Sequence, residues 1–450
     1  MKIHFHGAAH GVTGSCHLIE TAHKKILFDC GMFQGSNFNE SKNHDDFPFD
    51  PASIDVVIVS HAHIDHTGRV PKLVKDGFKG PIYMTKGTCR LAALIWEDAY
   101  HIMQYDYEKF NVPLLYSEPD IERTIRYCQG VDYHEYIDLG DGERFVFKDA
   151  GHIFGSAFIE LEADGKRIGF SGDIGNVNVP ILKETDQLGA VDVLLTESTY
   201  GDRIHETEKT RKELLLRLIK EGCTRGGAMM MPAFSLERTQ EILYVLDELF
   251  EEDKTLPDIP VFLDSPLAIK ATRVYKQLPE YYDVKATEKY MSGNDFLDFA
   301  RLRETETVEQ SKGINQVPNP KLIIAGAGMM NGGRILHHAK RYLSDPNATL
   351  IIVGYQAEGT LGRRLYEGAE QVTIHNDTVK VRCQIKAIGA LSAHGDQKKI
   401  LSWIRNAEQL PKKIYCVHGE PHAATVLAHK IKEDLHVESF VAELDQAVEV

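Results

Sequence analysis

The chain has 450 residues, 43% of them hydrophobic and 26% charged, an ordinary globular composition with room for two or more domains. Its formal net charge of −15 argues against broad nonspecific binding to nucleic acid, which needs Lys and Arg to neutralise phosphates, while leaving open a local basic groove or bound cations. No apolar run approaches the roughly 18–20 residues that span a bilayer, and "MKIHFHGAAHGVTGS" lacks the basic head and apolar stretch of a signal peptide.

The first third predicts short strands at "MKIHFHG", "CHLIETAHKKILFDCG", "VVIVS" and "PIYMT", alternating with amphipathic helices in "TGRVPKLVKDGF" and "KGTCRLAALIWEDAYHIMQYDYEKF". Strands continue in "RFVFKDAGH", "SAFIELEADGKRIGFSGD", where "ADGK" is a hairpin turn, and "VDVLLTEST". After Tyr200 the character changes. "HETEKTRKELLLRLIKEGCTRGG" is a glycine-capped helix, and "AMMMPAF", "IPVFLDS", "KLIIAGAG" and "TLIIVGY" are continuous apolar runs, each leading through a loop into a helical pattern. That is how a parallel sheet covered on both faces reads. "EEDKTLPDIP" and "ETETVEQSKGINQVPNP" are surface connections, and from "KVRCQIKAIGALSAHGD" onward strands and a helix return. The fold class is therefore α/β, one α/β unit inserted into another.

Seven cysteines, scattered and never spaced C-x-x-C, fit neither a disulfide framework nor a zinc ribbon. They point to a reducing cytoplasm, several of them as small core residues.

The chemistry concentrates in "VVIVSHAHIDHTG", Val56 to Gly68. His61 and His63, two apart, point the same way from an extended segment, and Asp65 and His66 follow a short bend into the same cavity. Imidazoles and a carboxylate suit Zn²⁺, and a strand end is a rigid place to hang them. A histidine-rich surface loop is the plainer alternative, but further ligand-type residues end apolar runs beside glycines: His152 in "DAGHIFGS", Asp173 in "GFSGDIGN" and His418 in "IYCVHGEP".

"SHAHIDHTG", His152, Asp173 and the upstream "LFDCG" resemble the motifs of the metallo-β-lactamase fold, and "LLTESTYG", "LSAHGD" and "VHGE" resemble the A, B and C motifs of its β-CASP branch of zinc-dependent nucleases. "GAAHGVTGSCHLIE", "PAFSLERTQEIL", "DSPLA", "GAGMMNGGR" and "VGYQAEGTLGRR" extend the likeness over essentially the whole chain. The resemblance implies a four-layer αβ/βα metallo-β-lactamase sandwich built from residues 1–202 and 372–450, interrupted by a parallel-sheet β-CASP domain at 203–371. It implies two Zn²⁺ per chain, with Mn²⁺ the alternative: one held by His61, His63 and His152, the other by Asp65, His66 and His418, with Asp173 bridging both and Asp29 orienting the histidine loop. His394 of "LSAHGD" is the candidate general acid, and Glu197 of "LLTEST" would hold its tautomer.

The glycine-rich turn Gly332–Gly333 and Arg334, before a helix, are candidates for a phosphate seat, with Ser235, Arg238 and Arg363 as weaker contacts to a substrate backbone. The implied activity is a cytoplasmic zinc ribonuclease acting on single-stranded RNA, endonucleolytic with 5′→3′ exonuclease action open. DNA cleavage, small-molecule hydrolysis and a non-catalytic RNA-processing role are the alternatives. No membrane partner is expected, and pairing of the C-terminal tail across a homodimer stays open.

Overall fold

The computed structural model describes every residue except 36, 206, 207, 253–255, 355, 357, 358 and 389–391. Tyr355, Ala357, Glu358 and Leu391 of the quoted motifs, and Glu206 and Thr207 of the expected helix, thus lie outside the described residues.

The chain divides into two compact units, residues 1–204 with 394–450, and residues 205–393. The first carries two seven-stranded sheets. One runs in the order Ala447–Glu449, Lys2–Phe5, His17–Glu20, Lys25–Phe28, Val56–Ile58, Ile82–Thr85, Cys128–Val131. The other runs Glu438–Val441, Lys413–Val417, Val193–Glu197, Lys166–Phe170, Ala157–Ala163, Glu143–Asp149, Tyr136–Gly140.

Alternation along the strands sends one face of each sheet inward, where Phe5, Phe28 and Ile58 of the first meet Phe147, Ile159 and Leu195 of the second in one core. The second sheet's other face packs on the helices Gln397–Arg405 and Pro421–Leu435 through Leu194, Ile400 and Leu427. This is the helix–sheet–sheet–helix sandwich the sequence implied. The helix Lys86–Phe110 spans the whole predicted segment: Thr85 caps its start by accepting from the Thr88 N–H, and left-handed Asn111 ends it. The "ADGK" hairpin also forms, with Asp164 and Gly165 both at positive φ.

The second unit is built on an all-parallel sheet in the order Leu302–Glu304, Val261–Leu263, Lys321–Ala325, Ala228–Pro232, Thr349–Val353, Gln384–Ile388, with a separate antiparallel pair, Gln371–Ile374 and Asp377–Lys380. Its central strands are buried along their full length, which is why they read as unbroken apolar runs. The boundary read from the sequence at 371/372 does not coincide with the structural division, which falls at 393/394. Gln384–Ile388 pairs with Thr349–Val353 and completes the inserted sheet. Being an edge strand, it is only half-buried and keeps Gln384 and Lys386, so it lacks the apolar signature of its neighbours.

Buried at this unit's strand ends is the carboxylate of Asp264. Asp264 follows Val261–Leu263 and accepts four hydrogen bonds, from Thr305 Oγ1 (2.7 Å), Arg334 Nη1 (2.8 Å), Ser311 Oγ (2.7 Å) and His338 Nε2 (2.7 Å). Burial pushes its pKa up, but those donors outweigh burial and bring it down to about 2. A pKa below the unfolded value contributes stability that is fully present above about pH 4 and is lost as pH falls toward 2. Asp264→Ala, which leaves Arg334 and His338 without their partner, is expected to cost this unit about 3–5 kcal/mol, read as a lower denaturant midpoint by circular dichroism.

Candidate metal centre and catalytic pair

Every side chain named as a ligand hangs from the end of a strand in the first unit. Val56–Ile58 leads into His61 and His63, and the single helical turn Ile64–Thr67 then presents Asp65 and His66. His152 sits in the loop between Glu143–Asp149 and Ala157–Ala163, Asp173 follows Lys166–Phe170, and His418 follows Lys413–Val417. Close approach of these loops sets the glycines: a Cβ on Gly172, one residue before Asp173, would lie 2.6 Å from Ser60 Cβ. His418 itself stands in the left-handed region, held by its N–H donating to the Ala8 carbonyl.

The seven side chains converge in two adjoining groups whose ligand atoms lie within 4.8 Å of one another: His61, His63, His152 and Asp173; and Asp65, His66 and His418. His61 Nε2 and His152 Nε2 lie 3.1 and 3.3 Å from His63 Nδ1, and His66 Nε2 lies 3.1 Å from His418 Nε2. A tetrahedral Zn²⁺ with Zn–N bonds of 2.0–2.1 Å would set ligand nitrogens about 3.3–3.4 Å apart, so the spacing fits. Asp173 Oδ2 faces both groups, 3.5 Å from His61 Nε2, 3.6 Å from His152 Nε2 and 3.4 Å from His66 Nε2. Its other oxygen, Oδ1, is buried and accepts no hydrogen bond. His418 Nε2 lies 3.3 Å from Asp65 Oδ2.

The electrostatics suit cations. Burial, with His66 nearby, holds His61 well below its ordinary pKa, and burial brings His63 down to about 4, leaving unprotonated nitrogens. Burial also opposes charge on His66, yet Asp173, Asp29 and Asp65 outweigh it and push that imidazole well above its usual range. For Asp173 burial acts upward, and His418, His66, His394 and His61 override it and hold the carboxyl well below normal. Three carboxylates around one imidazole call for positive charge, and these donors fit a divalent metal.

Asp29 braces this loop. Its oxygens accept from Ser60 N–H (2.8 Å), Ser60 Oγ (3.0 Å), Ser15 Oγ (3.0 Å) and His66 Nδ1 (2.7 Å). Ser60, Ser15 and Thr199, whose Oγ1 lies 3.2 Å from His418 Nδ1, were not singled out from the sequence. Ser60, closing the run "VVIVS", was the one with a signal, because a polar residue there must meet the loop's backbone.

His394 and Glu197 form a pair beside Asp173. His394 Nδ1 lies 3.1 Å from Glu197 Oε2 and 3.7 Å from Asp173 Oδ2. Glu197, fully buried at the end of Val193–Glu197, is fixed by the Ile174 N–H, which donates to Oε1 at 2.6 Å. Burial lowers the pKa of His394, but Glu197 and Asp173 raise it to about 9.

The residues suggested for substrate contact all lie in the second unit. Ser235 Oγ lies 3.3 Å from Ser265 Oγ, and these two hydroxyls face the bare Cα of Gly326. Gly333 is at positive φ, and a Cβ there would meet the Gly326 carbonyl oxygen at 2.3 Å. The three arginines among them have partners within the protein. Arg334 commits three of its five N–H groups to Asp264, the Thr305 carbonyl and the Glu306 carbonyl, so it braces the turn. Arg238 is buried and paired with Glu241 because the helix Arg238–Glu252 turns its first residues inward. Arg363 donates to Glu367 one turn along its helix, an ordinary surface pair.

A two-sheet sandwich with paired histidine–aspartate groups at its strand ends, interrupted by a parallel-sheet insert, defines a metallo-hydrolase of composite build. Residues 11–203 match the metallo-beta-lactamase superfamily, 239–365 the Beta-Casp domain, and 378–442 the Zn-dependent metallo-hydrolase RNA specificity domain. The chain is 37% identical over 420 residues to Ribonuclease TTHA0252 of Thermus thermophilus, covering 93% of each. It is 34% identical to an RNase J-like protein of Methanocaldococcus jannaschii, covering 97% of each. It is 30% identical to Transcription termination factor FttA of Methanosarcina mazei, across 96% of this chain and 69% of that one. A crystal structure of a protein of unknown function from Enterococcus faecalis V583 shares the fold at a TM-score of 0.58 and 12% identity, over 99% of both chains. The chain therefore belongs to the β-CASP family of metallo-β-lactamase-fold hydrolases.

Proposed function

We propose that this protein is a zinc-dependent ribonuclease that hydrolyses internal phosphodiester bonds of single-stranded RNA, with 5′→3′ exonuclease action open. The observation that carries the reading is the double donor set joined by Asp173 with the His394–Glu197 pair beside it. Two of the relatives are named as a ribonuclease and an RNase J-like protein, and residues 378–442 match an RNA specificity domain.

His61, His63 and His152 would hold one metal and Asp65, His66 and His418 the other, with Asp173 shared. When bound, such a pair supplies Lewis acidity at the phosphate and a water acidic enough to act as nucleophile near neutral pH. His394 would deliver the proton the departing oxygen needs. Glu197 at Nδ1 fixes the tautomer, so Nε2 is the nitrogen that hands the proton over. Asp29 keeps His66 in position through its Nδ1. Backbone contacts to RNA are proposed at Ser235 and the Gly332–Gly333 turn.

The test is to incubate 5′-labelled and 3′-labelled single-stranded RNA with the zinc-loaded protein and with Asp65→Ala, then map product ends. Discrete internal fragments from the wild type, absent with the variant or a chelator, are expected. Intact RNA in every reaction, or equal cleavage by the variant, would overturn the reading.

A further inference from the structure

In the inserted sheet the chain leaves two neighbouring central strands in opposite directions. The connection from Ala228–Pro232 crosses to Val261–Leu263 on one side, and that from Lys321–Ala325 crosses to Thr349–Val353 on the other. Right-handed crossovers in opposite directions lie on opposite faces of a sheet, so the two loops part at the carboxyl ends of this pair. Loops that part in this way mark the place where open parallel sheets take their ligands.

From residue 228 to residue 244, through strand, loop and the start of a helix, every residue is buried except Phe234 and Ser235. Single exposed apolar side chains are ordinary on a protein surface. This one stands where the two loops part, with 36% of its surface exposed, on a backbone that is held fast. The Phe234 carbonyl accepts from Thr239 Oγ1 at 2.7 Å and from the Thr239 N–H at 3.3 Å, and the Ser235 carbonyl accepts from Gln240 Nε2 at 3.1 Å.

The ring is fixed as well. A Cβ on Gly328, in the loop after Lys321–Ala325, would lie 2.7, 2.9 and 2.9 Å from Phe234 Cδ2, Cε2 and Cγ. Near-equal distances to three consecutive ring carbons put the glycine over the flat face, since at the edge the outer two would be clearly farther. Only a residue without a Cβ lets the backbone lie this close to the ring. Next along the chain, Ser235 Oγ and Ser265 Oγ flank the bare Cα of Gly326, and a Cβ on Gly332 would meet nothing within 4 Å. A fixed apolar plane thus has hydroxyls and open backbone beside it, the alternation of flat base and polar sugar–phosphate that a nucleotide presents.

We propose that Phe234 is a stacking platform for a base of the single-stranded RNA, with the adjoining sugar–phosphate passing over Ser235 and Ser265. Every base has a π face, so the contact adds affinity and sets register without reading sequence. The inference deepens the ribonuclease reading and rests on it for the identity of the strand.

Binding and cleavage are therefore measured separately. Phe234→Ala, Phe234→Leu and Phe234→Trp are made in the full chain carrying Asp65→Ala, so that bound RNA stays whole, and in the zinc-loaded parent. A short single-stranded RNA, and the same strand with abasic sites in place of its bases, are titrated by fluorescence anisotropy. Alanine and leucine are expected to weaken binding of the intact strand on the order of tenfold, tryptophan to restore it, and the differences to vanish on the abasic strand. Leucine keeps an apolar side chain against Gly328, so a loss shared by both variants with unchanged circular dichroism reports the missing ring rather than a collapsed loop. Unchanged binding of the intact strand by both, or an equal loss on the abasic strand, would overturn the platform. A parent that binds RNA with this dependence on the ring but cleaves none would count against the ribonuclease reading alone. A parent that neither binds nor cleaves RNA would overturn both.

Discussion

Asp173→Ala is expected to lower bound zinc from two to one or fewer per chain and to reduce RNA cleavage by on the order of 10³-fold or more. The argument is geometric. Asp173 Oδ2 lies within 3.6 Å of the Nε2 atoms of His61 and His152 in one donor group and of His66 in the other, so its loss removes a candidate ligand from each. It also leaves His66 facing two carboxylates instead of three. Metal analysis after gel filtration, beside cleavage of labelled RNA, checks both parts. Unchanged zinc content with unchanged cleavage would refute the bridging role.

His394→Ala is expected to separate chemistry from metal binding. Its imidazole belongs to a group with Asp173 and Glu197, outside the two histidine clusters, so the variant should keep its zinc. Cleavage should fall by about 10²–10⁴-fold, the usual worth of a positioned general acid. RNA with a leaving group that needs no proton should recover much of the loss, a response that a merely structural residue would not give. Metal lost together with activity would show that His394 supports the cluster instead.

The sequence carried the metal loop clearly because ligand spacing is local: His61 to His66 lie on one strand end and one helical turn. The distant partners, His152, Asp173 and His418, were legible only as polar residues ending apolar runs beside glycine, a pattern with physical content because tight loops must pack there. The fold followed from the same runs. The structural division falls beyond 371/372 because an edge strand, Gln384–Ile388, joins the inserted sheet yet reads as half-polar. The partners of the arginines were not legible for a related reason. Sequence shows a cation next to a helix start, but not the Asp264 or Glu241 that already engages it.

The sheet order has a consequence for how the chain becomes active as it is made. Lys413–Val417 inserts beside Val193–Glu197, and only then does His418 reach His66, a partner 352 positions earlier. Pairings this far apart form late, since loop closure must be completed before they are rewarded. A nascent chain can therefore pair Lys2–Phe5 through Cys128–Val131 of the first sheet and form the insert's strands while His418 and the C-terminal strands are still missing. The candidate centre gathers its last donor, His418, only after nearly all of the 450 residues have emerged.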